Sequence, residues 1–203
     1  MSTNRLEAFS DGVIAVAITL LVLNIDLPEL RPNQSLAGGL IGQWPVYVAY
    51  AVSFLTIGII WINHHVMIGR LREVDRTILF LNLLLLMSIA LLPFATRLMA
   101  AYLRHSHGQH LATGIYSGSF LLMALCFATL NRHILLAKAH MLQRELPIEQ
   151  RRQILYRSIA GVVPYAIATA LAVVSAYLTL AICAALAIFY ALPIGSGGAE
   201  PVP

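Results

Sequence analysis

The chain has 203 residues, of which 59% are hydrophobic and only 11% are charged. Soluble domains carry about 25% charged residues, so this composition excludes an ordinary soluble domain and indicates an all-α integral membrane protein. The net charge of +4 comes mostly from basic loops beside apolar segments, which argues against a nucleic-acid partner. The two cysteines lack the spacing of a disulfide framework or a zinc site.

Six apolar segments are predicted to be membrane helices, each judged against the roughly 20 residues that cross the hydrocarbon. The last two come from one continuous apolar stretch, 158–193, which is divided near Ser175 because it is too long for one ordinary span. The predicted spans are 8–27, 46–68, 77–99, 113–137 and two short helices within 158–193.

Proline and glycine mark the connections between these spans. The first span should stop at Pro28, and Pro93 predicts a kink in the third. The linker 28–45 predicts an irregular loop with at most a short surface helix. The charged segment 138–157 predicts an amphipathic or helical extension that is interrupted at Pro147.

Basic residues predict the orientation of the chain. Residues 1–194 form the predicted six-helix domain, and the Gly/Pro-rich residues 195–203 are expected to be a flexible tail or a cloning scar. With a cytoplasmic N-terminus, ten of the 13 Lys and Arg residues lie on the cytoplasmic side, which also makes the C-terminus cytoplasmic. The ten are Arg5, Arg70, Arg72, Arg76, Arg132, Lys138, Arg144, Arg151, Arg152 and Arg157.

The first span combines an acidic residue with an apolar stripe. A carboxylate at the depth of Asp11 costs roughly 2.5–3.5 kcal/mol on insertion scales, so it should face protein or water. Val16, Leu20, Leu23 and Leu27 recur at i, i+4, i+7 and i+11 and therefore share one face of a helix.

The start of this span carries a family resemblance. The pattern Arg5-x-x-x-Phe9-Ser10-Asp11 and the run Trp61-x-Asn63-His64-His65 late in the second span resemble the transmembrane protein 175 family of potassium channels. The single set of six helices resembles the bacterial form of that family. The resemblance implies a homotetramer in the bacterial plasma membrane, permeable to potassium and selective for it over sodium, with the first helices around a central pore.

The resemblance also implies roles for residues of the first helix. Val16, Leu20 and Leu23 match the apolar rings that narrow the pore, with Val16 where the family commonly has isoleucine, and Thr19 matches a hydroxyl layer that some bacterial members use for selectivity. A narrow apolar ring can gate by dewetting. No Thr-Val-Gly-Tyr-Gly segment is present, so a carbonyl-lined potassium filter is excluded. Taken without the family, the same stripe is more simply read as packing against neighbouring helices.

Polar residues near Asp11 allow more than one interpretation. Trp61, His64 and His65 share a helical face, so Asp11 is expected to accept a hydrogen bond from a histidine, Asn63 or Arg5. Such a network would position the helix, and a histidine facing Asp11 could instead sense protons. A small proton- or cation-coupled transporter that uses Asp11 and a histidine of the second helix is the alternative function.

Two acidic residues follow the first span, and the chain lacks the patterns of an enzyme or a metal site. Asp26 and Glu29, at the outer end of the first helix, would form an acidic vestibule when repeated around an axis. No nucleophile–base pair or metal-ligand spacing indicates an enzyme, so neither catalytic residues nor a resident metal is expected. We expect no cofactor; the partners are the permeant potassium ion, the lipid bilayer and further copies of the chain.

Overall fold

We describe the fold from a computed structural model, which covers residues 3–29, 32–105 and 107–192. The predicted tail, 195–203, lies outside these residues. Within them the chain is all-α, with loops and one isolated β-bridge between the helices. The α-helices are, in chain order, α1 (Thr3–Leu20), α2 (Leu36–Gly42), α3 (Trp44–Ile68), α4 (Arg76–Ala90), α5 (Leu92–Tyr102), α6 (Gln109–Arg132), α7 (Ile148–Ala160), α8 (Val162–Leu171) and α9 (Ala176–Ala191).

Five helical segments of the described chain are long and apolar enough to cross a membrane, which confirms five of the predicted spans. The sixth, α9, has 16 residues. At 1.5 Å per residue it is about 24 Å long, less than the ~30 Å of a typical hydrocarbon core, so a sixth crossing stays a prediction. The five segments are Thr3–Asn24, Trp44–Ile68, Arg76–Tyr102, Gln109–Ala137 and Ile148–Leu171.

The first span begins and ends earlier than its apolar pattern predicts. Its helix begins at Thr3, and a 3-10 turn over Leu21–Asn24 ends it. Leu27 therefore lies beyond the helix, 92% exposed, and is not part of a helical stripe. Pro28 explains the early end, because proline disfavours the helical conformation in the residue before it and has no N–H to continue the hydrogen-bond ladder.

The other predicted boundaries are confirmed closely, because they depend on local signals. The third span is interrupted at Leu91, with Pro93 in the first turn of α5. Pro147 directly precedes α7, which carries the charged extension into the fifth span. Ser175 begins α9, where its hydroxyl accepts a hydrogen bond from the Leu178 amide at 3.2 Å. The predicted short surface helix of the first linker is α2.

The apolar core lies around α6, which packs against α4, α5, α7, α8 and α9. Its largest buried side chains are Tyr116 and Phe120, which meet edge to face with centroids 4.7 Å apart. Tyr165 of α8 extends this aromatic cluster, 5.7 Å from Phe120. In contrast, α1 lies at one side of the bundle, where it packs mainly against α3 and α4.

A chain of buried hydroxyl groups joins α3, α5 and α6. Thr96 donates to the Leu92 carbonyl at 2.7 Å, so its oxygen accepts from Ser53 at 2.8 Å. The Ser53 hydrogen is then used, and Ser53 accepts from the Tyr116 hydroxyl at 3.2 Å, which shares its hydrogen with the Ala49 carbonyl at 3.4 Å. Each hydroxyl thus has a partner, which a polar group inside an apolar bundle needs.

Two loops meet at the end of the bundle where α3 and α6 both end. The amide of Arg72 donates to the Met141 carbonyl at 2.8 Å, and the amide of Gln143 donates to the Arg70 carbonyl at 2.9 Å. Asp75 caps α4 by accepting from the Ile78 amide at 2.8 Å and pairs with Lys138 Nζ at 2.9 Å. The Ile78 amide and the Lys138 ammonium lower the pKa of Asp75 below its ordinary value. Both loops therefore lie at the same end of the bundle.

Candidate pore helix and its polar contacts

The first helix has two faces in the structure. One face is buried against the rest of the chain and consists of Leu6, Ser10, Ile14, Ala17 and Leu21. The other face carries the predicted pore residues. Val16, Leu20 and Leu23 are 58%, 43% and 68% exposed, so they do not pack in the core of their own chain. This exposure agrees both with pore lining and with packing against the helices of another subunit.

An apolar groove of ≈ 570 Å³ runs along the exposed face of α1. Phe9 and Gly12 line its beginning and Val16 and Leu20 its end, with Ala90 at the end of α4 also contributing. Phe9 is 51% exposed there. The family motif therefore places its aromatic residue on the same face as the predicted constriction.

Thr19 lies on the exposed side of the same helix. Its hydroxyl donates to the carbonyl oxygens of Ala15 and Val16, both at 2.9 Å. Because the single hydroxyl hydrogen is used within the helix, the oxygen presents its lone pairs to the surroundings. Thr19 is thus arranged as a hydrogen-bond acceptor on the exposed side of the helix.

Asp11 has a different partner from those expected. It is half-buried, and its Oδ1 accepts a hydrogen bond from the indole Nε1 of Trp61 at 2.9 Å. The expectation that a histidine, Asn63 or Arg5 binds Asp11 is therefore wrong for the described chain. The helical register explains the difference, since it brings Trp61 to the level of Asp11 and places His65 one turn further along α3.

His65 lies opposite an acidic residue that the sequence analysis missed. Its Nδ1 is 2.7 Å from Oε1 of Glu7, with 60% of the histidine side chain and 25% of the glutamate side chain exposed. Glu7 precedes Asp11 by four residues, and Trp61 precedes His65 by four. Each helix therefore carries two polar residues at i and i+4. This spacing was the available signal, because two antiparallel helices can join such pairs through two successive contacts.

His64 begins a buried chain of hydrogen bonds to α1. Ser10 donates to the Leu6 carbonyl at 2.8 Å and accepts from Nδ2 of Asn82 at 3.0 Å. Oδ1 of Asn82 is 2.8 Å from Nε2 of His64, so this nitrogen carries the hydrogen. All three side chains are 0% exposed, and Nδ1 of His64 has no partner in the described chain. Asn82, a lone asparagine in a leucine-rich helix, is the second residue that the sequence analysis missed.

The remaining predicted residues lie outside this network. Asn63 is exposed and donates to the Ile59 carbonyl of its own helix, and Arg5 is exposed at the start of α1. Asp26 and Glu29 are exposed beyond the other end of the first span. Arg97 approaches Asp26, with 3.9 Å between Nη2 and Oδ2, and so partly compensates its charge.

These observations define the class of protein: a multi-pass α-helical membrane protein with an unpaired apolar face on its first helix. The family model for the endosomal/lysosomal potassium channel TMEM175 matches residues 5–93. A potassium channel of Streptomyces collinus is 43% identical over 188 residues, which cover 93% of this chain and 91% of that protein. The human endosomal/lysosomal proton channel TMEM175 is 36% identical over 118 residues, or 54% of this chain and 23% of that protein.

Solved structures agree with the sequence comparisons. The crystal structure of a lysosomal potassium-selective channel TMEM175 homologue from Chamaesiphon minutus has a TM-score of 0.85 and 35% identity, covering 97% of this chain and 98% of that one. A further TMEM175 potassium channel, solved with a nanobody fusion, shares the fold with a TM-score of 0.62 at 18% identity. The chain belongs to the TMEM175 family of ion channels, as the motif of the first helix predicted, and is a multi-pass protein of the bacterial inner membrane.

Proposed function

We propose that this protein is a homotetrameric, potassium-permeable channel that selects potassium over sodium. Each subunit crosses the membrane six times with both termini in the cytoplasm, and α1 of each subunit faces the central axis. The observation that carries the proposal is the exposed apolar face of α1 in a chain whose opposite α1 face is buried. Its relatives from Streptomyces collinus and Chamaesiphon minutus are both named potassium channels.

Conduction would be limited by the apolar rings. Val16, Leu20 and Leu23, repeated by symmetry, form a neck in which water and hydrated ions are unstable, so the neck closes by dewetting and opens by a small widening. Thr19 oxygen atoms between these rings replace part of the hydration shell of a passing cation. Asp26 and Glu29 at one mouth raise the local cation concentration.

The polar contacts support this arrangement by setting the rotation of α1. Glu7 and Asp11 contact α3, and Ser10 contacts α4, so two consecutive turns of α1 are held by the rest of the chain. A rotation of the helix would break these bonds. The bonds therefore keep Val16 and Leu20 directed away from their own chain. Trp61 has only a donor N–H and cannot relay a proton from Asp11, so the coupled transporter gains no support from this contact.

Single-channel recording in planar bilayers tests the proposal. We expect unitary currents whose reversal potential follows the potassium gradient, and we expect Leu20→Ser to raise conductance or weaken selectivity because a hydroxyl keeps the neck hydrated. Leu125→Ser on α6 is the matched control, since Leu125 is 46% exposed and Leu20 is 43% exposed. Saturable uptake without unitary currents would instead favour the transporter, and equal effects of both variants would refute the pore assignment.

A further inference from the structure

The helix α7 is the most strongly basic element of the bundle surface. It carries Arg151, Arg152 and Arg157 against one acidic residue, Glu149. Among its residues only Leu155 is buried. The helix packs mainly against α6 and continues through Gly161 into the apolar α8, so it belongs to the side of the subunit away from α1.

Two of these arginines have no partner in the described chain. Nε of Arg151 donates to the Leu146 carbonyl at 2.8 Å and thereby fastens the preceding loop. Arg152 and Arg157 are exposed, and no hydrogen bond or ion pair involves their side chains among residues 3–29, 32–105 and 107–192. With Glu149, Gln153 and Tyr156 they line a surface groove of ≈ 280 Å³.

The groove lies at the boundary between the polar and apolar parts of the span. Nδ2 of Asn131, near the end of α6, donates to the Ser158 hydroxyl at 2.7 Å, which places Arg157 beside the last turn of a membrane helix. From Ser158 to Leu192 the sequence has no charged residue. Arginine at such a boundary keeps its charged head at the level of the lipid headgroups.

An apolar strip continues the same face of the helix towards the hydrocarbon. At about 100° per residue, Arg152 and Arg157 are about 140° apart around the helix, and Val163 and Ile167 lie between their directions. They are 53% and 52% exposed. The surface therefore presents guanidinium groups followed by exposed aliphatic side chains, an order that matches the headgroup and acyl chain of one lipid molecule.

We propose that this groove binds an anionic phospholipid with a hydroxyl-bearing headgroup, of the phosphatidylglycerol type. Arg152 and Arg157 bind the phosphate oxygens, which suit the forked geometry of guanidinium groups. Gln153 and Tyr156 add neutral donors. Glu149, one turn further from the hydrocarbon, accepts from the glycerol hydroxyls, whereas a trimethylammonium headgroup has no hydrogen to donate. The acyl chain lies on Val163 and Ile167.

Native mass spectrometry of the purified full-length oligomer, titrated with phosphatidylglycerol or phosphatidylcholine, tests this site. Arg152→Gln with Arg157→Gln should weaken phosphatidylglycerol binding about 30-fold, since each basic residue near an anionic lipid surface contributes about 1 kcal/mol. Arg144→Gln is the matched control, because Arg144 is an exposed arginine in the loop before α7. The Lys replacements of both residues should retain most of the binding.

The outcomes are distinct. Unchanged binding in the double Gln variant, equal loss in Arg144→Gln, or equal binding of phosphatidylcholine would overturn the proposal. Displacement of the lipid by millimolar inorganic phosphate would also overturn it, because it would make the groove a site for a soluble anion. If the double variant does not yield folded protein, each single Gln variant is titrated and should lose about fivefold. The readout needs no current, so a chain that binds lipid but does not conduct contradicts only the proposed channel function.

Discussion

Two buried hydrogen-bond chains show how differently the centre and the edge of this bundle are stabilised. In the centre, the chain that begins at Tyr116 runs through α3 and α5 to a helix carbonyl and lies beside the aromatic cluster of Phe120. At the edge, the chain that begins at His64 runs through Asn82 and Ser10 to α1. The central helix α6 packs against five other helices of its own chain, whereas α1 packs mainly against two.

The difference explains which helix is available for assembly. Packing against five helices holds α6, together with hydrogen bonds that join Tyr116 to Ser53 and Asn131 to Ser158. The first helix has a smaller packed surface, so hydrogen bonds and an ion pair on two successive turns fix its rotation and leave an apolar face outward. Three substitutions test this contrast.

The largest effect is expected in the aromatic cluster of the centre. Phe120→Ala should lower the free energy of unfolding by about 3–5 kcal/mol, because the removed ring leaves a cavity between Tyr116 and Tyr165. Denaturant-dependent unfolding in detergent micelles measures the change. Leu125→Ala on the same helix is the control and should stay within about 0.5 kcal/mol, because Leu125 is exposed in the chain. Equal losses would mean that α6 is not the central packing element.

A smaller effect is expected at the edge. Asn82→Ala should cost about 2 kcal/mol, because it leaves the buried side chains of Ser10 and His64 without their shared partner. The same unfolding measurement applies. Asn63→Ala is the control, since Asn63 is exposed and binds only a carbonyl of its own helix. If the two alanine variants are equally stable, the contact between α4 and α1 does not hold the first helix in place.

The smallest effect is expected at the loops that join the two regions. The folded pKa of Asp75 is lowered, so its stabilising contribution is present above its ordinary value of 3.8 and is lost as the pH falls through the folded pKa. Asn remains a good helix cap, so Asp75→Asn should remove only the ion pair with Lys138, or about 0.5 kcal/mol near neutral pH.

Melting temperatures measured between pH 7 and pH 3 check this expectation. The difference between the wild type and Asp75→Asn should shrink towards zero as Asp75 becomes protonated. Glu73→Gln is the matched control, because Glu73 and Arg72 form an exposed pair at 3.4 Å whose loss should change little. A difference that is constant over the whole pH range would show that the carboxylate of Asp75 does not stabilise the fold.

Local sequence signals determined the class of the protein and most of its helix boundaries. Composition identified a membrane protein. Pro93, Pro147 and Ser175 marked real interruptions or helix starts, because the fixed φ of proline and the side-chain cap of serine act within a few residues. The same locality explains the error at the end of the first span. Hydrophobic periodicity extended the first helix to Leu27, although Pro28 already disfavours helix at that position.

Only the tertiary structure decided which side chains meet. The sequence contains Glu7, Asp11, Trp61 and two adjacent histidines, but it does not state the register of α1 against α3, and a shift of one helical turn exchanges every partner. The role of Asn82 is still harder to predict from the sequence, since it depends on α4 lying beside both helices at the depth of Ser10. Helix formation is decided by neighbours along the chain, whereas polar pairing is decided by the packing of surfaces that are far apart in sequence.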